Sequence, residues 1–566
     1  MNTLLLAAIM LGGYVIAYFT YGRFLGKKIF KLAADNVCPS HELQDDIDFV
    51  PTNKHILFGH HFTSIAGLGP IVGPAVAIIW GWVPAVLWVL FGSIFFGAVH
   101  DFGALVVSLR HQGRSIGDLS ADIINNRIRS LFLLIIFLFL LILIAVFALV
   151  IAILFTMYPQ AVIPVWVEVP IAIWLGYMVY KKNSSHVKLG IIAVILMYIF
   201  VGVGAYVPVD LQMLGLSDGS VLIAWMVILF IYAYIASTLP VQTLLQPRDY
   251  INSHQLFIAL ALLIVGVLIS RPEIVAPAYD ASPAGAPPVW PFLFVIIACG
   301  AISGFHSLVS SGTSSKQCYS ENDAQFIGYG SMLMEGTLCT LVIIAVAGGI
   351  GLGLTTGDGE ILTGHAAFSH HYASWAAASG LGAKIGAFVT GAANMIEACG
   401  IPANITMTIM GVFIVSFAAT SLDTATRLQR YIVGELAVAY KLPWLARRHP
   451  ATLIAVLSAF ILAFYNGSGK GAMILWPLFG TVNQLLASMS LLVITIYLAK
   501  QRISIKFTAI PMIFMIIMTG WAMILGLQNF YHDQNWLLFV ISTMVFALEI
   551  WMIIEAVLYF KKEVTI

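Results

Sequence analysis

Fifteen stretches of this chain are each apolar and long enough to cross a bilayer as a helix, which takes about 20 mostly apolar residues. They fall at roughly 3–21, 56–80, 84–108, 131–156, 161–180, 189–207, 220–240, 255–271, 290–313, 326–353, 402–425, 451–466, 471–497, 507–526 and 535–559. In lipid the backbone must satisfy its own N–H and C=O groups, so an all-α polytopic bundle is the fold class such a chain predicts. A sixteenth, weaker stretch at 380–399 carries Lys384, Asn394 and Glu397. Composition agrees, with 60% hydrophobic and 9% charged residues. A net charge of +1 makes no electrostatic case for a nucleic-acid partner. Cys38, Cys299, Cys318, Cys339 and Cys399 are scattered without CxxC spacing, which argues against a disulfide or zinc framework.

Basic residues set the expected orientation, because loops on the cytoplasmic side carry the excess of Lys and Arg. Residues 1–21 lack a positive n-region and a small-x-small cleavage site, and read as a retained first helix. With fifteen spans, the N-terminus outside and the C-terminus cytoplasmic, 24 of the 27 Lys and Arg fall on the cytoplasmic side. Arg271, Lys384 and Lys470 are the exceptions. Were 380–399 also to span, the basic loop 427–450 would move outside, so 354–400 reads as an extracellular segment of short helices, dipping back as a lid.

Two of the fifteen stretches are internally broken. His61-Phe-Thr-Ser-Ile-Ala-Gly-Leu-Gly-Pro-Ile-Val-Gly-Pro74 holds Gly67, Gly69, Pro70, Gly73 and Pro74. The run from Cys299 to Ser315 is rich in Gly and Ser. Irregular backbone at bilayer depth is tolerated where it is buried in protein or lines a cavity, and a matched pair of breaks points to a transporter's binding site. Each broken stretch is followed by four helices, and the two run in opposite directions in the expected topology. The chain then divides into an N-terminal helix and loop (1–55), a first inverted repeat (56–207), an extra helix pair (208–289), a second inverted repeat (290–497) and a C-terminal pair (498–566). At a break the half-helix N-terminus suits a carboxylate and the C-terminus a small cation. Ser303, Ser307, Ser310, Ser311 and Thr313 bring hydroxyls to the second break, and His306 is placed to pair with a carboxylate or relay a proton. The alternative is that these glycines merely let helices pack closely. If the first break is the site, Gly69→Leu fills only the ligand's space and leaves the fold intact.

Thr420, Ser421, Asp423 and Thr424 form an oxygen-donor cluster on one apolar stretch, suited to a hard cation. Pairing of Asp423 with Arg427 at a helix end is the equal alternative. Glu335 and Glu168 lie inside apolar stretches, where ionisable groups are functional by default. His100 and Asp101 read as structural residues at a helix end beside a basic loop. His60 and His61 are weak metal candidates, since adjacent residues point to different helix faces.

These same residues resemble the carbon starvation protein A (CstA) family of bacterial inner-membrane transporters. The resemblance rests on Phe58-Gly-His-His-Phe62 with Ile65–Pro74, Ala98-Val-His-Asp-Phe102, Leu244–Tyr250, Ile302–His306 with Ser310–Thr313, Ile327–Glu335 and Leu475–Ala487, in order from about residue 55 to 490. It implies uptake of peptides or pyruvate when carbon is scarce, through a LeuT-like fold of the amino acid–polyamine–organocation (APC) superfamily with five-plus-five inverted repeats and extra helices. No enzymatic activity or resident cofactor is implied; the expected partners are a small solute, the lipid bilayer and a coupling proton or Na+. The expected substrate-binding residues are Ala66, Gly67, Gly69, Ser303, Gly304, His306 and Ser310, and the expected ion-coupling residues Thr420, Ser421, Asp423 and Glu335. A sodium site would lie near Ala66, Gly69, Thr420 and Ser421. A haem-bearing redox protein using His61, His100 or His306, and a nutrient sensor, are the rival functions.

Overall fold

The computed structural model describes residues 2–564, and the side chains of Lys561 and Lys562, counted above among the basic residues, lie outside the described ones. The chain is helical almost throughout. Helices α1 (Thr3–Ala17), α2 (Lys54–Ile65), α3 (Gly69–Ala77), α4 (Trp82–Gly92) and α5 (Ala98–Leu109) lead into the 32-residue α6 (Asn126–Met157). There follow α7 (Val162–Gly176), α8 (His186–Tyr206), α9 (Asp218–Thr238), α10 (Leu245–Ser270), α11 (Val289–Ile296), α12 (Gly304–Gly312) and α13 (Ser331–Ala347). A two-residue-per-strand hairpin, β1 (Leu354–Thr355) and β2 (Ile361–Leu362), precedes α14 (Leu381–Glu397). The chain closes with α15 (Ala403–Ala439), α16 (Arg448–Phe464), α17 (Trp476–Lys500), α18 (Lys506–His532) and α19 (Trp536–Val564).

Among the described residues twelve helices are long and apolar enough to cross a membrane, or thirteen if the bent pair α2–α3 counts as one. Each of the twelve coincides with one of the fifteen expected stretches. The other three are the two interrupted rods and α16, which has 17 residues. Residues 354–400 fold as the hairpin and short helices, ending in the 17-residue α14.

Burial sorts the bundle into centre and rim. In the rods at Glu321–Leu352 and Trp476–Lys500, 94% of the most apolar window is buried, against 33% in Thr3–Ile29 and 28% in Trp536–Glu555. The rim helices nevertheless carry exposed Ile16, Ile195 and Ile517. A helix apolar all round has nothing to gain from a polar outer face when its neighbour is lipid. Local signals set the ends. Asn125 caps α6 by accepting from the N–H groups of Arg127 and Ile128, and Pro159 follows its last turn.

Two helices run ten or more residues beyond their expected bounds. The stretch expected at 255–271 begins at Leu245, and that expected at 402–425 runs on to Ala439. Arg248 and Asp249 lie before the first of these expected stretches, and Arg427 and Arg430 fall in what reads in the sequence as the basic loop 427–450. In the structure all four are buried and paired, so helix continues through them.

Candidate functional site

Both interrupted rods are broken where the glycines fall. Helix α2 ends at Ile65, Ala66 leaves the helical region with ψ of 47°, and α3 resumes at Gly69 with a bend of 44°. Pro70 sits in the first turn of α3, where a missing N–H costs nothing. Pro74 cannot donate to the Pro70 carbonyl one turn earlier; the Cys339 thiol donates there instead, at 3.2 Å. In the second rod, seven residues from Ile297 to Ser303 separate α11 from α12.

The two breaks touch. A Cβ on Gly69 would lie 2.3 Å from Cys299 Sγ, and one on Gly73 2.6 Å from the Ile296 carbonyl oxygen. This is the close approach that small residues four apart allow in membrane bundles. Gly69→Leu would therefore force the rods apart, and the expectation that it fills ligand space alone is corrected. The freed carbonyls of the second break find side-chain donors. Trp88 Nε1 donates to Ile297 (2.9 Å), Ser93 Oγ to Gly300 (2.9 Å) and Gln484 Nε2 to Phe294 (2.7 Å). Asn483 Oδ1 accepts from the Phe305 N–H (3.0 Å), capping α12.

Where the breaks meet lies a partly open cavity of about 300 Å3, near the lower end of the range for small-molecule sites. Gly67, Gly69, Cys299 and Ser421 form its floor, with Phe147, Phe305 and Trp476 among its walls. Pro287 reaches it from the loop before α11, and Trp375, Leu381 and Lys384 from the segment that also carries the β-hairpin; the two segments form the cap end. Those segments are pinned by Tyr372 Oη donating to the Ala75 carbonyl (2.5 Å) and the Trp375 N–H to that of Ala284 (2.8 Å). A larger groove of about 730 Å3 between α1 and α10 lies at the rim, lined by the exposed Val15 and Phe19.

The expected site residues divide. Gly67, Gly69 and Ser421 line the cavity. Ala66 is buried in the break itself. Ser303 exchanges hydrogen bonds with Asn483 and Cys299, and Gly304 packs on Asn483 and Leu486. Ser310 is buried in α12 and is not among the lining residues. His306 turns away from the cavity into a second cluster. Its Nδ1 lies 3.0 Å from Asp101 and its Nε2 3.4 Å from Glu335, and all three side chains are wholly buried. His100 Nδ1 holds the other Asp101 oxygen at 2.7 Å. His100 and Asp101 thus sit inside the bundle, and their reading as helix-end residues is corrected. Cys299, which lines the cavity, has its Sγ within 4.8 Å of donor atoms of His306 and Glu335. These three groups have the thiol, imidazole and carboxylate chemistry of a transition-metal site.

Asp423 pairs with Arg248, not with Arg427, and accepts from Tyr232 Oη at 2.7 Å. Thr420 accepts from Asn252 (3.1 Å) and donates to the Ser416 carbonyl (3.0 Å), and Ser416 donates to Glu168 (3.4 Å). His60 has both ring nitrogens engaged, Nδ1 on Asp249 (2.5 Å) and Nε2 on Thr313 (3.0 Å); His61 Nδ1 contacts Ser314 (2.7 Å). Sequence reasoning missed Asn483, Arg248 and Lys384 as site residues.

Towards the C-terminal end of α15, an ionic latch ties the loop before α2 to the bundle. One oxygen of Asp48 accepts from Arg427 (2.7 Å), Arg430 (2.7 Å) and Tyr431 Oη (2.8 Å), while Lys316 Nζ stands 3.6 Å over the Tyr431 ring. Burial works to raise the Asp48 carboxyl, but Arg430, Arg427 and Lys316 outweigh it and hold its pKa well below the usual carboxylate range. A depressed folded-state pKa contributes stability that is complete above the unfolded value near about 3.9 and is lost only as pH falls through the folded one. Asp48→Asn is therefore expected to lower the melting temperature by the same amount at pH 6 and pH 8. Scanning fluorimetry at both values checks this, and a deficit that changes between them would show another group titrating.

Fold and site together define a multi-pass membrane protein built around a solute-sized cavity between two interrupted helices. The chain belongs to the carbon starvation protein CstA family, whose model matches residues 2–522. It is 32% identical to a Campylobacter jejuni protein named peptide transporter CstA, over 92% of this chain and 80% of that one. It is equally 32% identical to the pyruvate/proton symporter BtsT of Escherichia coli, over 91% and 80%. A Bacillus subtilis peptide transporter CstA is 31% identical, over 92% and 90%. Among solved structures, a manganese transporter variant from Eremococcus coleocola aligns over 91% of this chain and 99% of its own, at 12% identity and a TM-score of 0.48.

Proposed function

We propose that this protein is a proton-coupled secondary transporter of the cytoplasmic membrane that imports a small carboxylate-bearing solute, a pyruvate-like acid or a short peptide, in response to carbon starvation. The observation that carries the reading is the cavity at the junction of the breaks, with the His306–Glu335–Asp101 cluster reached from it through Cys299. That cluster holds two carboxylates and two imidazoles and no guanidinium or ammonium. No Arg or Lys pairs with it among the described residues, so on this reading its charge is balanced out of water by protons, which come and go. Asp423, by contrast, already has a permanent cation beside it in Arg248, which weakens it as a sodium ligand and favours the proton at the other cluster.

On this reading α2–α3 with α4–α5, α6, α7 and α8 form one five-rod repeat, and α11–α12 with α13, α15, α16 and α17 form the second, in the LeuT-like manner. The N-terminus and the cap end face outside and the Asp48 latch faces the cytoplasm. The structure then represents an outward-facing arrangement, with solute entering past Trp375 and Lys384 and leaving when the latch opens. The names of the E. coli and B. subtilis relatives supply the two solute classes.

The test is uptake of labelled pyruvate and dialanine into proteoliposomes under an imposed pH gradient; no accumulation of either sinks the reading. Val72, half-buried on α3 and lining the cavity, gives the matching variant. Val72→Trp grows into open space, so uptake should fall to background while stability changes by no more than the ~1–3 kcal/mol of ordinary overpacking. Retained uptake would place the solute elsewhere.

A further inference from the structure

The cavity is almost without charge. Phenylalanine and tryptophan at 147, 292, 305, 375, 476 and 479 dominate its walls, and its polar side chains include Cys299, Ser421, Thr481 and Asn483. Lys384 is its one charged lining residue. This lysine stands in the first turn of α14, where it is half-buried, and no carboxylate lies within salt-bridge distance of it among the described residues. The other two basic residues assigned to the cap side, Arg271 and Lys470, are exposed to solvent. A lysine on the lining of an apolar chamber, without a counter-charge, gains a strong, charge-assisted hydrogen bond when an anion arrives within its reach.

We propose that Lys384 is the group that holds the solute's carboxylate, making the cavity selective for small monoanions. The proposal rests on the transport reading above and adds to it the residue that recognises the solute and the charge type it admits. Size and charge act together. At the roughly 30 Å3 that a liquid water occupies, 300 Å3 holds about ten non-hydrogen atoms, enough for a short keto or hydroxy acid or a minimal dipeptide. A dipeptide also brings an ammonium, and no carboxylate lines the cavity to receive it. Taking that second charge out of water has a cost that cation–π contact with the aromatic walls offsets only in part, and a monoanion never meets this cost. The half-helix N-terminus of α12, the other expected carboxylate site, is occupied by Asn483. Lys384 also reports on the cap. It belongs to α14, whose far end is held by Asn394 donating to the Gly349 and Gly353 carbonyls (3.0 and 2.7 Å), so an anion bound at Lys384 ties the cap segment to both breaks.

The test uses the full chain in lipid, with pyruvate, its uncharged amide and dialanine as probes, read by calorimetric binding and by KM and Vmax of uptake. The parent should bind pyruvate at least about tenfold more tightly than the amide or dialanine, the worth of one charge-assisted hydrogen bond. Lys384→Gln should raise Kd and KM for pyruvate by a similar factor with Vmax within about twofold, and leave the amide unchanged. Lys384→Arg should restore most of the affinity, which separates a charge effect from a packing defect. A parent that takes up pyruvate alongside a Lys384→Gln variant with the same KM overturns the proposal alone. So does a parent that binds the amide or dialanine as tightly as pyruvate. A folded parent that neither binds nor accumulates any of the three overturns the transport reading, and this proposal with it.

Discussion

Glu335→Gln should abolish proton-driven accumulation of solute while leaving solute exchange across the membrane in place. Glutamine keeps the shape of the side chain and removes its titration. If Glu335 carries the coupling proton, an imposed pH gradient loses its grip on the solute. Counterflow, in which labelled solute outside exchanges for unlabelled solute inside at equal pH, needs only the cavity and persists. The energetics favour this separation. Both Glu335 oxygens are buried without a well-formed hydrogen bond, so a neutral isostere leaves no partner orphaned. The variant should therefore be at least as stable as its parent, and a large fall in melting temperature would mark Glu335 as structural. Accumulation under a pH gradient equal to that of the parent would remove the proton from the His306–Glu335–Asp101 cluster. Asp101→Asn should give the same dissociation of accumulation from exchange, because His306 stands between the two carboxylates.

The parts of this architecture that depend on neighbours in sequence were legible there. Gly67, Gly69 and Pro70 cannot lie in an uninterrupted rod, and the break falls on them. The run of Ser and Gly after Cys299 behaves likewise. What periodicity does not encode is which polar side chain meets which across the bundle. His306 follows the break immediately and looks like a ligand residue, yet it faces α5 and α13, where Asp101 and Glu335 wait. Asn483 lies 178 residues from the N–H it caps, and only folding brings the two together. Helix ends were misjudged for a related reason. A charge in an apolar run reads as a boundary, but Arg427 and Arg430 meet Asp48 from a loop nearly 380 residues away and stay inside α15. In the sequence Lys384 stands out only as a charge that weakens the stretch 380–399 and as an exception to the basic-residue rule, because its relation to the cavity appears only when α14 is laid beside the two breaks.

The bundle thus contains two buried ionic clusters with opposite logic. Around Glu335 no Arg or Lys pairs with the carboxylates among the described residues, and on the proposed reading protons do the balancing. Around Asp423 a guanidinium is present at all times. Arg248 pairs with Asp423 and reaches Asp249 at 3.4 Å and Tyr232 Oη at 2.6 Å. Asp249 in turn holds His60 on the first broken rod, and Tyr232 bonds Asp423 from α9. One side chain therefore ties α2, α9, α10 and α15 together.

Removing that guanidinium should be among the most damaging single changes in the protein. Arg248→Leu leaves Asp423 and Asp249 facing each other out of water, and breaking a buried pair from one side costs about 3–5 kcal/mol. The expected result is a collapse in folded yield and, for what survives in detergent or lipid, a melting temperature far below that of the parent. The cause can be separated from lost packing by removing the orphaned charge as well. In Arg248→Leu/Asp423→Asn one of the two carboxylates is gone and the other, Asp249, keeps His60 as its partner, so the double variant should recover a large part of the lost stability. Asp423→Asn alone should cost less than Arg248→Leu, because the remaining guanidinium keeps Asp249 and Tyr232 as partners. If Arg248→Leu unfolds at the parent's temperature, the cluster is not what fastens these four helices, and the contrast between a fixed and a titrating centre fails with it.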